Sequence, residues 1–286
     1  MIKSDTKTNF KDSDQVFYLV TKNHIHYRKN GFTAHKSHII KKSDGVYYNK
    51  DTGELIQNVK KSNLKIQNQQ SLIRSYRNLF YTVEKYVDAF KNSVMITLGY
   101  KKPQTNLNEL SHDFDRFMKR LKRYIKKAHP SFHYEYIRIN EPYDETYNEK
   151  PKWHIHLLLF GIAWIPVEDL DKLWQKGKVT ITSYSNRDGD KAAKYFAGFL
   201  NAPEHTNSEE ELEKKRSSKK GRLRYYVSGT DLFSTSRGIK TPKFRKGIYR
   251  EIKQKYPGKT INEGSKTIII DGEIVNRFDY QNQELV

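Results

Sequence analysis

Apolar and polar positions alternate along this chain in two different periods, and the switches between them mark out its elements. Leu72, Ile73, Leu79, Phe80, Val83, Val87 and Phe90 recur at steps of three and four, which predicts an amphipathic helix with one face packed on something else. Val94-Met95-Ile96-Thr97-Leu98 is a short apolar run that fits a buried strand, and a polar loop containing Pro103 follows it. A second helical stripe runs through Leu107, Leu110, Phe114, Phe117, Leu121, Tyr124 and Ile125, with Lys119, Arg120, Lys122, Arg123, Lys126 and Lys127 on the other faces. That basic face suits either a solvated helix packed on a sheet or a helix that touches nucleic acid. Phe132 to Glu141 and Trp153 to Phe160 read as two antiparallel strands joined by a long polar loop, Pro142 to Lys152. Pro166 opens a short helix that stops at Gly177. Val179 to Thr182 is the next strand, and Lys191 to Leu200 a helix with Ala192, Tyr195, Phe196 and Phe199 at helical spacing.

The ends of the chain are more polar. VFYLV at 16–20 and GVYYNKDTGELI at 45–56 carry strand residues around Asp-Thr-Gly turn chemistry. SEEELEKKRSSKKGR, at 208–222, is highly charged and expected to be exposed. In TIIIDGEIVNRF, Asp271-Gly272 between alternating residues suits a tight hairpin turn. The expected fold class is α+β: a central antiparallel sheet with helices packed on it, plus small strand-rich N- and C-terminal additions. The expected division is a basic appendage over 1–66, a catalytic domain over 67–202, and a charged segment with a C-terminal strand and hairpin region over 203–286, packing on or extending the core.

Composition narrows the function. Lys+Arg 53 against Asp+Glu 33 gives a net charge of +20, spread along the chain, which favours a polyanionic partner unless it reflects coding bias alone. Tyr 20 and Phe 14 add surface on which bases stack. Cysteine is absent, which excludes disulfides, thiolate metal sites and thiol nucleophiles. No stretch approaches the roughly 18 apolar residues of a membrane span, and the first residues lack a signal-peptide segment, so a cytoplasmic protein with no membrane partner is expected.

His154 and His156 are two apart on a strand, so both imidazoles leave one face while Ile155 leaves the other. Leu157, Leu158, Leu159 and Phe160 continue that strand as a buried one, a rigid support for metal ligands. Taken alone, His-x-His is a weak signal. Asn23-His24-Ile25-His26 repeats it, but Tyr-Arg-Lys-Asn-Gly follows with no apolar strand, so that copy is read as incidental. A carboxylate would complete a site for Mg²⁺ or Mn²⁺. Glu141 ends the preceding strand, expected diagonally from His154; Glu135 shares its parity further back, and each reads equally as a surface glutamate. With no cysteine, a nucleophile must be a hydroxyl. Tyr195 stands on a helix beside Lys194, where a core position is the competing reading.

At this point the residues resemble the HUH endonucleases, and specifically the replication initiators of rolling-circle plasmids and filamentous phages. Met95-Ile96-Thr97-Leu98-Gly99-Tyr100 is similar to the family's first motif, Trp153-His154-Ile155-His156-Leu157-Leu158 to the His-hydrophobic-His motif, and Ala193-Lys194-Tyr195 to the nucleophile motif. The segment from Ser234 through Arg237 to Pro242 is similar to one found downstream in the filamentous-phage type. Gly99 departs from the first motif. Gly198 stands where many relatives have a second lysine, and Lys191 where some have a glutamate that activates water for termination.

The resemblance implies an HUH/RRM-like catalytic core holding Mg²⁺ or Mn²⁺ on His154, His156 and Glu141, with Tyr195 as nucleophile and Lys194 offsetting charge beside it. It implies DNA contacts from Thr97, Tyr100, Lys191 and Arg237. The implied activity is site-specific nicking and rejoining of single-stranded DNA through a 5′-phosphotyrosine, leaving a 3′-OH primer. The implied partners are single-stranded and origin hairpin DNA and the host helicase and polymerase. A single-tyrosine transposase has the same motif order, and a non-catalytic nucleic-acid-binding protein would share the charge and aromatics.

Overall fold

The computed structural model describes residues 2–30, 39–43, 46–49, 53, 55–57, 69–128, 134–197, 222, 225–227, 229–270 and 273–286. The chain divides into two units, Asn63–Pro242 and a second that joins Met1–Ser62 to Lys243–Val286. Most of the charged run at 208–222, together with Gly198 and Asp271-Gly272, lies outside the described residues.

In the terminal unit, β1 (Ile2–Asp5), β2 (Gln15–Val20) and β3 (His24–Asn30) precede β4 (Ile39–Ser43), β5 (Val46–Asn49) and β6 (Leu55–Gln57), which form a small antiparallel sheet of their own. From the other end of the chain come β12 (Arg245–Ile248), a short helix over Tyr249–Lys255, β13 (Gly258–Ile270) and β14 (Glu273–Leu285). These complete a six-stranded antiparallel sheet in the order β1-β13-β14-β3-β2-β12. The C-terminal hairpin therefore pairs with N-terminal strands through β14 and β3. Val16, Ile25 and Tyr27 pack with Tyr249 and Ile252 to make this unit's own core.

The larger unit holds α1 (Gln69–Ala89), β7 (Asn92–Leu98), α2 (Leu107–Ala128), β8 (Glu135–Tyr147), β9 (Lys150–Phe160), α3 (Val167–Trp174), β10 (Val179–Ser185), α4 (Gly189–Ala197) and β11 (Phe233–Thr235). Its five strands form an antiparallel sheet in the order β10-β7-β9-β8-β11, so the expected α+β architecture is borne out. Strand β9 is central, and every residue from Trp153 to Phe160 is buried. Tyr86 of α1 and Phe90 just past its end pack on Phe160, and Phe196 of α4 on His156, so these helices cover the face to which the even-numbered side chains of β9 point. Phe114 of α2 packs on Tyr136, the register partner of Leu159, and covers the opposite face. Burying Leu157, Leu158, Leu159 and Phe160 contributes roughly 1.5–3 kcal/mol each, so β9 is firmly held between the two helical layers.

The long loop expected at 142–152 is replaced by continuous strand. Strands β8 and β9 run on through it to a two-residue turn at Asn148 and Glu149, both with positive φ of 49° and 62°, as a primed hairpin turn requires. The stretch is polar because it extends into solvent, with a register irregularity between Pro142 and Thr146 in place of regular pairing. The helix expected from 191 begins at Gly189, and its strand neighbour β10 extends to Ser185.

Candidate metal centre and active site

The alternation of β9 sends His154 and His156 to the face covered by α4, and antiparallel pairing sets Glu141 directly opposite His154. Glu141, His154 and His156 are 3%, 5% and 4% exposed. Glu141 Oε2 is 2.9 Å from His156 Nε2 and 4.0 Å from His154 Nε2, and the two Nε2 atoms are 3.1 Å apart. Glu135, the other glutamate of matching parity, pairs with Phe160 in register and meets Ser236 Oγ at the far end of the strand.

Neighbouring side chains fix this trio. Thr97, the register partner of His156 on β7, has its Oγ1 3.0 Å from His156 Nδ1. With Nδ1–H donating to Thr97, the Nε2 lone pair of His156 faces Glu141 and His154. The Tyr143 ring lies 4.2 Å from that of His154. Arg222 Nη1 forms an ion pair with Glu141 Oε1 at 3.0 Å and donates to the Pro142 carbonyl at 3.1 Å. Tyr226 supports the strand end from behind, its ring against Trp153 and its hydroxyl donating to the Asn140 carbonyl at 2.6 Å.

These three side chains fit a divalent cation. Their ligand atoms all lie within 4.8 Å of one another, the sole such group of three among the described residues. Atoms able to accept, crowded this closely in a buried place, need a proton or a cation among them. Two imidazoles and one carboxylate form a mixed nitrogen and oxygen donor set that suits first-row divalent ions and tolerates Mg²⁺.

Tyr195 stands beside the cluster. Its ring is 5.9 Å from that of His156 and nearly perpendicular to it, yet the residue is 42% exposed, so it borders the site while part of it faces solvent. Partial burial raises its pKa above the ordinary phenol value; Glu141 raises it further and Arg222 opposes the rise. The helix that carries Tyr195 is fixed at its start, where Gly189 N–H donates to Asp88 Oδ1 of α1 at 3.2 Å. A side chain at 189 would meet that carboxylate and the Glu84 carbonyl, so glycine permits the close approach.

The other candidates are dispersed. Lys194 Nζ pairs with Asp190 at 2.6 Å, one turn back on α4. Lys191 is exposed. The Tyr100 hydroxyl donates to Asp113 Oδ2 at 3.3 Å while its ring packs edge-on against Trp174. Arg237 is exposed on a loop that Ser236 ties to Tyr136 of β8. Tyr136 is five residues along the strand from Glu141, which separates that loop from the histidines by roughly 15–20 Å. The second His-x-His pair also lies on a strand and is buried, contrary to expectation. His26 Nδ1 meets Asn282 Oδ1 at 2.8 Å there.

Sequence reasoning missed Arg222 and Tyr143. Arg222 ends a run whose charge reads as solvated surface, and Tyr143 lies in the stretch taken for a loop.

The fold and the site together define a class: an antiparallel sheet whose central strand presents a His-hydrophobic-His pair beside a tyrosine-bearing helix. Residues 93–203 match a family model of replication-associated proteins, the one that includes the ORF2 type. The match spans β7 to α4 and includes Glu141, His154, His156 and Tyr195, so the resemblance to rolling-circle replication initiators is borne out over the segment that carries the motifs. No curated protein matches the chain. Among solved structures, the N-terminal nuclease domain of non-structural protein-1 of Minute virus of mice is similar, with 13% identity over 86% of this chain and 77% of that one and a TM-score of 0.16. A superposition that poor supports no further argument. No helix among the described residues is long and apolar enough to cross a membrane.

Proposed function

We propose that this protein initiates rolling-circle replication by nicking single-stranded origin DNA with Tyr195. The observation that carries the reading is the perpendicular packing of the Tyr195 ring on His156, within a buried cluster of Glu141, His154 and His156. The match of residues 93–203 to a replication-associated family supports it. His154, His156 and Glu141 hold Mg²⁺ or Mn²⁺, which supplies Lewis-acid polarisation of the scissile phosphate. Tyr195 Oη loses its proton and attacks phosphorus in line; the bond to the 3′ oxygen breaks, and that oxygen leaves as a 3′-hydroxyl after taking up a proton. The product is a 5′-phosphotyrosine whose bond energy permits later rejoining. Thr97 orients His156, and the partial exposure of Tyr195 lets a strand enter from solvent. Lys191 and Arg237, both exposed, contribute to holding DNA, and Lys194 balances charge on the face of α4. The 3′-hydroxyl requires a polymerase, and strand displacement a helicase, as host partners.

The test is incubation of the full chain with single-stranded origin oligonucleotides. Cleavage that requires Mn²⁺ or Mg²⁺ and leaves protein on the 5′ product is expected, with no adduct from Tyr195→Phe. Metal-independent binding without cleavage would identify a nucleic-acid-binding protein instead.

A further inference from the structure

Arg222 approaches the candidate metal centre from outside the sheet, and its side chain is only 17% exposed. One of its nitrogens, Nη1, forms an ion pair with Glu141 Oε1 at 3.0 Å and donates to the carbonyl of the next residue, Pro142, at 3.1 Å. This occurs where β8 leaves regular pairing with β9, between Pro142 and Thr146. Glu141 and Pro142 are the last regularly paired residues before that irregularity, and the guanidinium bridges the side chain of one and the backbone of the other. The other carboxylate oxygen, Oε2, is then turned toward His156 at 2.9 Å.

We propose that Arg222 is a positioning residue of the metal centre, clamping Glu141 so that a single oxygen, Oε2, is offered to the ion. The inference rests on the reading of Glu141, His154 and His156 as a divalent site. A cation next to a carboxylate has two opposed effects on metal affinity. It repels the ion, and it removes the freedom of a side chain with three rotatable torsions. Residues that orient metal ligands by hydrogen bonds are typically worth 10- to 100-fold in affinity, whereas repulsion alone gives a change of the opposite sign. The sign of the effect therefore separates a clamp from a nearby charge. A planar guanidinium holds two acceptors in a defined geometry, and an ammonium on a flexible stem does so less well.

The experiment is titration of the full chain with Mn²⁺, following free ion by electron paramagnetic resonance, alongside metal-free urea unfolding. Arg222→Gln is expected to weaken Mn²⁺ binding by roughly 10- to 100-fold and Arg222→Lys by less. In a Glu141→Gln background, Arg222→Gln is expected to have no further effect, since the clamp acts only through that carboxylate. Unchanged or tighter binding in Arg222→Gln overturns the proposal, as does an equal loss in the Glu141→Gln background. If Arg222→Gln does not fold, Arg222→Lys in both backgrounds decides in the same way. Wild-type protein that binds no Mn²⁺, or binds it no better than His154→Ala/His156→Ala, overturns the reading of the centre itself, an outcome distinguishable from failure of the clamp alone.

Discussion

Thr97 Oγ1 lies 3.0 Å from Nδ1 of His156, directly across the β7–β9 pair. A hydroxyl there fixes the orientation of the ring and which nitrogen faces Glu141. Thr97→Val keeps the shape and removes the hydrogen bond. Mn²⁺ affinity is expected to fall about tenfold or more, with a small change in urea unfolding because the residue is only half-buried. Unaltered affinity would leave Thr97 as a sheet residue.

Burial raises the pKa of the Tyr195 phenol above the ordinary value, and Glu141 acts in the same direction while Arg222 opposes it. Because the raised pKa disfavours the charged nucleophile, the sign is clear: raising pH increases its fraction. Adduct formation at saturating Mn²⁺ is expected to accelerate with pH above about 7.5, where free histidines are already neutral, by as much as about tenfold per unit. A flat profile measured by single-turnover cleavage would exclude phenol deprotonation from the rate-limiting step.

Asp188, just ahead of α4, accepts hydrogen bonds from Ser185 Oγ at 2.7 Å and Ser185 N at 2.8 Å. The Ser185 hydroxyl and amide lower its pKa, burial opposes them, and Lys191 adds to the lowering. A carboxylate with a depressed folded value contributes stability that is complete above the unfolded value of about 3.9 and is lost as pH falls through the folded one. Asp188→Ala is expected to cost about 1 kcal/mol at pH 7 by urea unfolding, and the gap from wild type is expected to close toward pH 2. A gap that persists in acid would point to packing instead.

The sheet, its helices and the face shared by His154 and His156 were legible because they depend on local periodicity. Glu141 was legible as a strand-end carboxylate, but its position opposite His154 was not. That register depends on the Asn148-Glu149 turn, and this pair lacks the glycine that usually signals a two-residue hairpin. The strand at His24 to Asn30 was missed because its second half, Arg28-Lys29-Asn30, is polar; of its two partners β2 is a near neighbour, while β14 lies some 250 residues away. Arg222 was hidden by its charged neighbours, since only the fold brings it to Glu141.

The attachment of α4 to α1 gives the last prediction. Gly189 N–H donates to Asp88 Oδ1 at 3.2 Å, and a Cβ at 189 would lie 2.8 Å from the Glu84 carbonyl and closer still to the Asp88 carboxylate. The Glu84 atom is main chain in the middle of a helix and cannot swing aside. Gly189→Ala must therefore push α4 away from α1, at about 1–3 kcal/mol, the usual cost of overpacking. The helix moves as a unit, so Tyr195, near its other end, moves relative to His156. Adduct formation is expected to fall by at least about tenfold, because angstrom-scale misplacement of a nucleophile is costly. Mn²⁺ affinity is expected to remain near wild type, since Glu141, His154 and His156 all lie on β8 and β9. Parallel measurement of unfolding, Mn²⁺ binding and adduct yield separates these effects. Equal losses of metal binding and adduct yield would mean that the strands, not the helix, absorb the added methyl group.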